Sequence, residues 1–393
     1  MTRPAILAAC RTAIGSAFRG SLTDTSPFDL AESVVTEALR RSGLEPGDID
    51  DVVLAEGLYG GGVIARHAAL TAGLTRVPGL AVNRHCAASL ASVQIGAADV
   101  GSGMAGAVIA GGVSSPSTSP KSSWRTPGTA EVADGWISPS HPDSAEAPNL
   151  DMSITVGWNA ARLAGVTREE MDAWAARSHQ RAVESIDRGD FVDEIVPITV
   201  TRGDGEVVTW EVDEHPRRGS TVEKLATLKP LHPEIEGFSI TAGNSSGIND
   251  GAAAVVVASP ELAADRGITP MATILAWGSV GVDPVETGLA NVEVIPMVLE
   301  RAGIALGDVA RFEINEAFAS VCVATCRQLG IDEALVNVNG SGCSLGHPVA
   351  ATGGRMLVTL IHELRRQGGG IGVASMCAGG GMGAATVIEV PVP

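Results

Sequence analysis

Two stretches, "ALRRSGLEPGDIDDVVLAE" (38–56) and "VLERAGIALGDVARFEINE" (298–316), align without a gap at an offset of 260 residues. Leu39 falls on Leu299, Arg41 on Arg301, Gly43 on Gly303, Gly47 on Gly307 and Asp48 on Asp308. Each stretch reads as a helix end, a glycine stop, a short loop and then a buried strand. A unit of this kind, repeated within a chain of 393 residues, predicts two homologous halves.

Composition agrees with a layered α/β core. Apolar residues make up 45% of the chain but aromatics only 3%, and there are 48 glycines, so packing must rely on Ala, Val, Leu and close backbone approach. Forty-five acidic residues against 27 basic ones give a formal charge of −18, which repels phosphate backbones and anionic bilayers. Nucleic acid and membrane are therefore not expected partners. An anionic ligand would need a local basic patch, for which "HPRRGS" with Arg217 and Arg218 is the candidate. The six cysteines (10, 86, 322, 326, 343 and 377) have no framework spacing and read as reduced thiols of a cytoplasmic protein. Cys322 and Cys326 lack a second pair with ligand spacing, so core packing rather than metal binding is expected of them. No signal peptide opens the sequence, and no apolar run approaches the ~18 residues of a bilayer span.

The segment "VNRHCAASLASVQ" (82–94) sets Cys86 at the start of a helix of small residues. Unpaired N–H groups and the helix dipole favour a thiolate there, so Cys86 is either a nucleophile or a small buried hydrophobe at a tight turn. The repeat offset carries Cys86 to position 346, next to His347 in "SLGHPVAATGGRMLVTLIHEL". Both segments follow an apolar strand ending near Asn and lead into a helix, so equivalent corners of the two halves supply a thiol and an imidazole. Glycine-rich turns are expected in "AVIAGGVSS" and "GVASMCAGGGMGAA", either admitting backbone N–H groups to a ligand or serving as ordinary turns. Between the halves, a Ser/Pro-rich stretch (114–149) precedes a helix with a Thr167/Glu170 capping box and a stop near Gly189. This insertion of roughly 120 residues is too long for a plain connector and is expected to cover one face of the core.

Five blocks then carry a family resemblance: "NRHCAAS", "TAGNSSGINDGAAAVVV" (241–257), "NEAFA" (315–319), "NVNGSGCSLGHPVAATGGR" (337–355) and "CAGGGMGAA" (377–385). In this order and spacing, the chain resembles the thiolases. The resemblance implies a thiolase-like fold in which two pseudo-symmetric α/β halves form a layered αβαβα core with an inserted loop domain. The first half would take 1–117 and 245–270, the insertion 118–244 and the second half 271–393. It implies coenzyme A-dependent cleavage of a 3-ketoacyl-CoA, or the reverse condensation, with coenzyme A as substrate and no permanently bound cofactor or metal. Cys86 matches the acylated nucleophile, His347 its proton acceptor and Cys377 the acid–base at the acetyl α-carbon. Asn315 matches the residue that holds an oxyanion-hole water, and the N–H groups of Cys86 and Gly379 match the other hole. Ser246 and Arg217 fall where the family touches coenzyme A. Relatives also imply a homodimer or homotetramer, with an Ala/Gly-rich strand such as 105–112 suited to close approach between subunits.

Departures from the family pattern are Ala88 and Ser89 for Ser-Gly after the nucleophile, and Gly157 and Trp158 for Glu-Asn within "MSITVGW". "TGLANVEVIP" also replaces the Gly-Pro-x-Pro-Ala turn. They imply an atypical substrate, and the loss of Gly is expected to restrict φ at a tight turn. Two other readings are a thiolase-fold acyl-CoA-binding protein without turnover, for which the four catalytic side chains would be unnecessary, and a ketosynthase-like condensing enzyme, which Cys377 disfavours.

Overall fold

The computed structural model describes residues 2–57, 62–201 and 205–392. The first half runs from strand β1 (Ala5–Thr12) to helix α1 (Pro27–Ser42) and strand β2 (Asp51–Glu56). Helix α2 (Ile64–Thr71), strand β3 (Gly79–Val82), helix α3 (Ala88–Gly101) and strand β4 (Ala107–Ser114) follow. After intervening segments that include a long helix, α4 (Arg168–Arg188), strand β5 (Asn249–Ala258) returns to the sheet. The second half comprises β6 (Ala272–Gly281), α5 (Ala290–Ala302), β7 (Val309–Ile314), α6 (Ala319–Leu329), α7 (Thr352–Arg366), β8 (Gly370–Ala378) and β9 (Met382–Val390).

The sequence repeat is a structural repeat. Helix α1 stops at Gly43 with φ 73° and α5 at Gly303 with φ 70°, the left-handed conformation that a residue without Cβ adopts at no steric cost. In each half one 3₁₀ turn then leads into the strand, Pro46–Asp48 before β2 and Leu306–Asp308 before β7. The strand order is β3-β2-β4-β5-β1 in the first half and β7-β8-β9-β6 in the second, where Val336 bridges Phe312 in parallel at the position of β3. Directions also agree: β2–β4 and β7–β8 are parallel, and the remaining neighbours toward β1 and β6 are antiparallel. The sheets of the two halves join where β1 meets β6 through Ala5↔Thr273 and Ile6↔Ala272, so that together they count 11 strands, two of them short additions.

Three apolar clusters define the layers. Leu30, Val34 and Ile64 of α1 and α2 pack on Leu7, Val52 and Leu54 of the first sheet. Val294, Val298 and Val321 of α5 and α6 pack on Phe312, Ile314 and Val387 of the second. Between the sheets, Leu90 and Val93 of α3 meet Met356 and Leu360 of α7, with Ile6, Val108 and Val255 on one side and Ile274, Ala374 and Ile388 on the other. Helix α3 is buried almost all round, which is why its sequence is apolar and small, whereas α7 is amphipathic, its buried face packed in this layer and Arg365 and Arg366 exposed at its C-terminal end.

One expectation is corrected. The Ala/Gly-rich strand 105–112 is β4, which lies inside the sheet between β2 and β5 and not at a subunit-facing edge. Its glycine pair is part of the strand rather than a turn. A Cβ on Gly111 would stand 2.0 Å from the Ala253 carbonyl oxygen, and one on Gly112 2.1 Å from that of Ala350, so the small residues serve close approach within the chain. The free edge of the first half is β3, where Leu80 is exposed.

The segment before β5 is tied down by charge. Arg11 of β1, fully buried, donates to Glu194 at 2.7 Å and to both oxygens of Asp213 at 2.8 Å, and its guanidinium lies 5.0 Å from the Phe191 ring centre. Helix α4 starts at the predicted capping box, Thr167 with Glu170, and stops at Gly189 with φ 77°. Removing Arg11 would strand two buried carboxylates. Arg11→Ala should lower the unfolding free energy by about 3–5 kcal/mol in urea titration, or prevent folding, whereas loss of the exposed Arg40–Glu37 pair should barely move the transition. A wild-type midpoint in Arg11→Ala would show that the network is not holding this segment.

Candidate active site

Cys86 lies immediately before Ala87, the N-cap of α3, and the preceding His85 has a left-handed backbone with φ 46°. The His85 N–H donates to Asn83 Oδ1 at 2.9 Å, which fixes this turn. Backbone N–H groups of Cys86 itself and of Gly379 face the Cys86 sulfur. The two donors favour the thiolate, but burial outweighs them and pushes the thiol above its ordinary pKa. The expectation of a thiolate from helix position alone is thereby corrected: the resting group is a thiol that needs a base.

Gly379 begins the turn between β8 and β9, and Gly380 and Gly381 there have φ of 88° and 72°. Cys377, at the end of β8, is buried and pushed up to about 12, first by desolvation and then by the nearby Cys86. The two thiols and the Gly379 N–H are thus brought together from α3 of one half and β8 of the other.

His347 is also buried. Its Nδ1 lies 2.7 Å from Thr352 Oγ1, and that hydroxyl donates to the Pro348 carbonyl at 2.9 Å. A hydroxyl has one hydrogen, so Oγ1 accepts from Nδ1–H and the proton-free nitrogen is Nε2. Asn315 Nδ2 approaches this Nε2 at 3.4 Å, while Asn315 Oδ1, buried, has no hydrogen-bond partner among the described residues. Desolvation, assisted by Arg355, holds His347 down to about 3, so it is neutral and available as a base. The backbone N–H of His347 donates to Asn249 Oδ1 at 3.0 Å. Thr352 and Asn249 were not among the sequence candidates, although both lie inside the quoted family blocks.

Ser246 is half-buried, and its N–H donates to the Ala317 carbonyl at 2.9 Å, two residues beyond Asn315. Arg217 is exposed; its N–H donates to His179 Nδ1 at 3.1 Å. It is attached to the site through His215, which bonds the Ser344 carbonyl at 2.8 Å and would stand 2.4 Å from a Cβ on Gly247. Met152 reaches within 3.5 Å of the Cβ position on Gly379, and Ser140 packs on Gly380, so segments between the halves do border the site.

The departures have local causes. Ala88 and Ser89 sit in the first turn of α3 and need no left-handed φ, contrary to expectation. Gly157 belongs to a π-helical turn, Ser153–Trp158, where a Cβ would strike the Phe318 ring at 2.8 Å. Trp158 packs on Phe238 at 5.4 Å between ring centres. Cys10, Cys322, Cys326 and Cys343 are buried thiols, and among the described residues no group of three or more His, Cys, Asp or Glu could hold a metal ion.

Family profiles described as "Thiolase, N-terminal domain" and "Thiolase, C-terminal domain" match residues 4–261 and 268–390. The chain is 41% identical over 392 residues to an acetyl-CoA acetyltransferase of Pseudomonas aeruginosa, covering 98% of each. It is 39% identical over 409 residues to a 3-ketoacyl-CoA thiolase of Bacillus subtilis, covering 99% of this chain and 100% of that one. The fold matches the crystal structure of the Bacillus anthracis acetyl-CoA acetyltransferase at TM-score 0.91 and 38% identity, over 99% of both chains. It matches human mitochondrial 3-ketoacyl-CoA thiolase at 0.90 and 34%, again over 99% of both. Two matched halves, shared strand order and these relatives lead to one conclusion: the chain belongs to the thiolase family of acyltransferases.

Proposed function

We propose that this enzyme cleaves a 3-ketoacyl-CoA with coenzyme A into acetyl-CoA and a shortened acyl-CoA, or runs the reverse Claisen condensation, through an acyl-Cys86 intermediate. The observation that carries this reading is the convergence on one sulfur of a neighbouring thiol, Cys377, and an inward N–H, that of Gly379.

In cleavage, the Cys86 sulfur attacks the ketone carbon as His347 Nε2 takes the thiol proton. The alkoxide that forms is met by preorganised donors: imidazolium Nε2–H and a water held by Asn315 Oδ1 on one side, the N–H groups of Cys86 and Gly379 on the other. The bond between α- and β-carbons then breaks, leaving an acyl-cysteine and the enolate of acetyl-CoA, which Cys377 protonates at carbon. A second coenzyme A thiol then gives its proton to the Cys377 thiolate and takes the acyl group, and the released Cys86 sulfur recovers its proton from the His347 imidazolium. Coenzyme A enters as substrate, with Ser246 on the pantetheine and Arg217 at the adenine end. A binding protein without turnover would have no use for a desolvated, correctly tautomeric His347 or for a second thiol.

The chain divides into 1–117 with 245–270, 118–244, and 271–393. It works as a homodimer or homotetramer, for which the free edge of β3 with exposed Leu80 is the natural contact. Six unpaired thiols suit the reducing cytoplasm, and no helix among the described residues is long and apolar enough to cross a membrane.

Intact-mass measurement after mixing with acetyl-CoA should find one acetyl group, absent in Cys86→Ala; persistent acetylation in that variant would refute the nucleophile. Cys377→Ser should keep acetylation while thiolytic turnover falls ~10²–10⁴-fold, and equal loss of both steps would show that Cys377 supports the nucleophile instead. Because His347 stays neutral down to about 3, the single-turnover acylation rate should show no inflection near pH 6.5, where a solvated imidazole titrates. An inflection there that disappears in Thr352→Val would mean that His347 is hydrated in the working enzyme.

A further inference from the structure

A cavity of about 170 Å³ is lined chiefly by Asn83, His85, Ser114, Pro116, Ile137 and Val349, with Cys86 and His347 outside its lining but close in sequence to residues that form it. His85 immediately precedes Cys86, and Val349 follows His347 by two positions, so the cavity borders both corners that supply the thiol and the base. Its wall is mostly apolar, but its polar groups are unevenly used. Asn83 is committed, accepting from the His85 N–H at 2.9 Å and donating to the Gly57 carbonyl at 3.3 Å. The neighbouring His141 is saturated, through Ser140 Oγ at 2.7 Å and the Ala147 carbonyl at 2.8 Å. Among the described residues, by contrast, neither ring nitrogen of His85 has a hydrogen-bond partner, nor has the hydroxyl of Ser114, which is 7% exposed. Both groups are open to water in the cavity, so an occupant that displaces that water leaves them unpaired unless it bonds them itself.

The electrostatics narrow the occupant. No Lys or Arg lines the cavity, so nothing there would neutralise a carboxylate. Burial and His141 push His85 below its ordinary pKa, leaving a neutral ring with one donor and one acceptor. The volume is near the ~150 Å³ of a cavity that admits benzene, room for about six non-hydrogen atoms. A group that fits is a short chain ending in a hydroxyl, which can donate to one of these partners and accept from the other.

We propose that this cavity receives the far end of the acyl group on Cys86, and that His85 with Ser114 makes the enzyme select neutral hydroxyl-ended acyl chains over aliphatic chains of the same length. The proposal rests on the acyl-Cys86 reading. In the acylation step the acyl carbon leaves the coenzyme A sulfur and bonds to Cys86 Sγ, while the cysteine proton passes through His347 to the departing thiolate. Selection acts on the tail and leaves that chemistry unchanged. Binding an aliphatic end would bury the His85 and Ser114 polar groups without partners, whereas the hydroxyl pairs them.

The test compares single-turnover acylation of the full-length enzyme by hexanoyl-CoA and by its isostere 5-hydroxypentanoyl-CoA, with acetyl-CoA, too short to reach the cavity, as reference. Wild type should favour the hydroxylated thioester about tenfold. His85→Leu should abolish or invert that ratio while acetylation persists, and Ser114→Ala, which asks nothing new of the backbone, should reduce it. Normal acetylation with equal rates for the two longer thioesters would overturn the proposal, as would a ratio unchanged in both variants. No acetylation of wild type at all would instead overturn the acyl-enzyme reading beneath it.

Discussion

A single hydrogen bond, from the Gly354 N–H to Ser89 Oγ at 2.9 Å, joins the first turns of the two central helices. Those helices can come so close only because position 353 is also glycine: a Cβ there would stand 2.7 Å from the Leu90 backbone nitrogen. Everything at the site hangs on this approach. Cys86 sits just before α3 and His347 just before α7, so the distance between the helix starts sets how thiol and imidazole meet. Ser89, a departure from the family pattern, is therefore a fastener between the halves. The apolar packing of both helices between two sheets then holds the corner rigid, since a close-packed interior transmits small displacements instead of absorbing them.

Burial also decides the chemistry. A thiol at a helix start and an imidazole nearby could have formed a charged pair, but desolvation disfavours both charges, raising Cys86 and Cys377 and lowering His347. The resting site is consequently neutral, and charge appears only as the substrate reacts. In that setting the N–H of Gly379 and the free Oδ1 of Asn315 matter most, because they are fixed in place before the charge develops. Thr352 matters for a related reason. By accepting the Nδ1 hydrogen it leaves Nε2 as the imidazole nitrogen free to take a proton.

The two-fold architecture was legible because it is written in local signals that repeat: glycine stops after α1 and α5, and alternation of short loops with buried strands. The pairing of Cys86 with His347 was legible for the same reason, as equal positions in a repeat. What sequence concealed was anything set by contacts distant along the chain. The glycines of β4 look like a surface for another subunit until Ala253 and Ala350 are seen pressed against them. The helix dipole at Cys86 is readable from the residues that follow it, but the burial that outweighs it is set by tertiary packing. Roles such as those of Asn249 and Thr352 were hidden too, since a side chain that orients a catalytic group has no spacing rule of its own.

The two corners also differ in one informative respect. In each half the residue just before the functional side chain has a left-handed backbone: His85 with φ 46° before Cys86, Gly346 with φ 102° before His347. This turn aims the next side chain inward, and it is the reason that a thiol and an imidazole arise at matching places. Glycine is obligatory in the second half, because a Cβ at 346 would lie 2.5 Å from the Asn249 side chain that holds the His347 backbone. In the first half the residue is not glycine, and glycine would relieve the strain of a left-handed side chain. The sequence nonetheless has an imidazole there, lining a cavity, with neither nitrogen paired among the described residues. A strained position that keeps a polar ring where glycine would be easier is best understood through what the ring can bind.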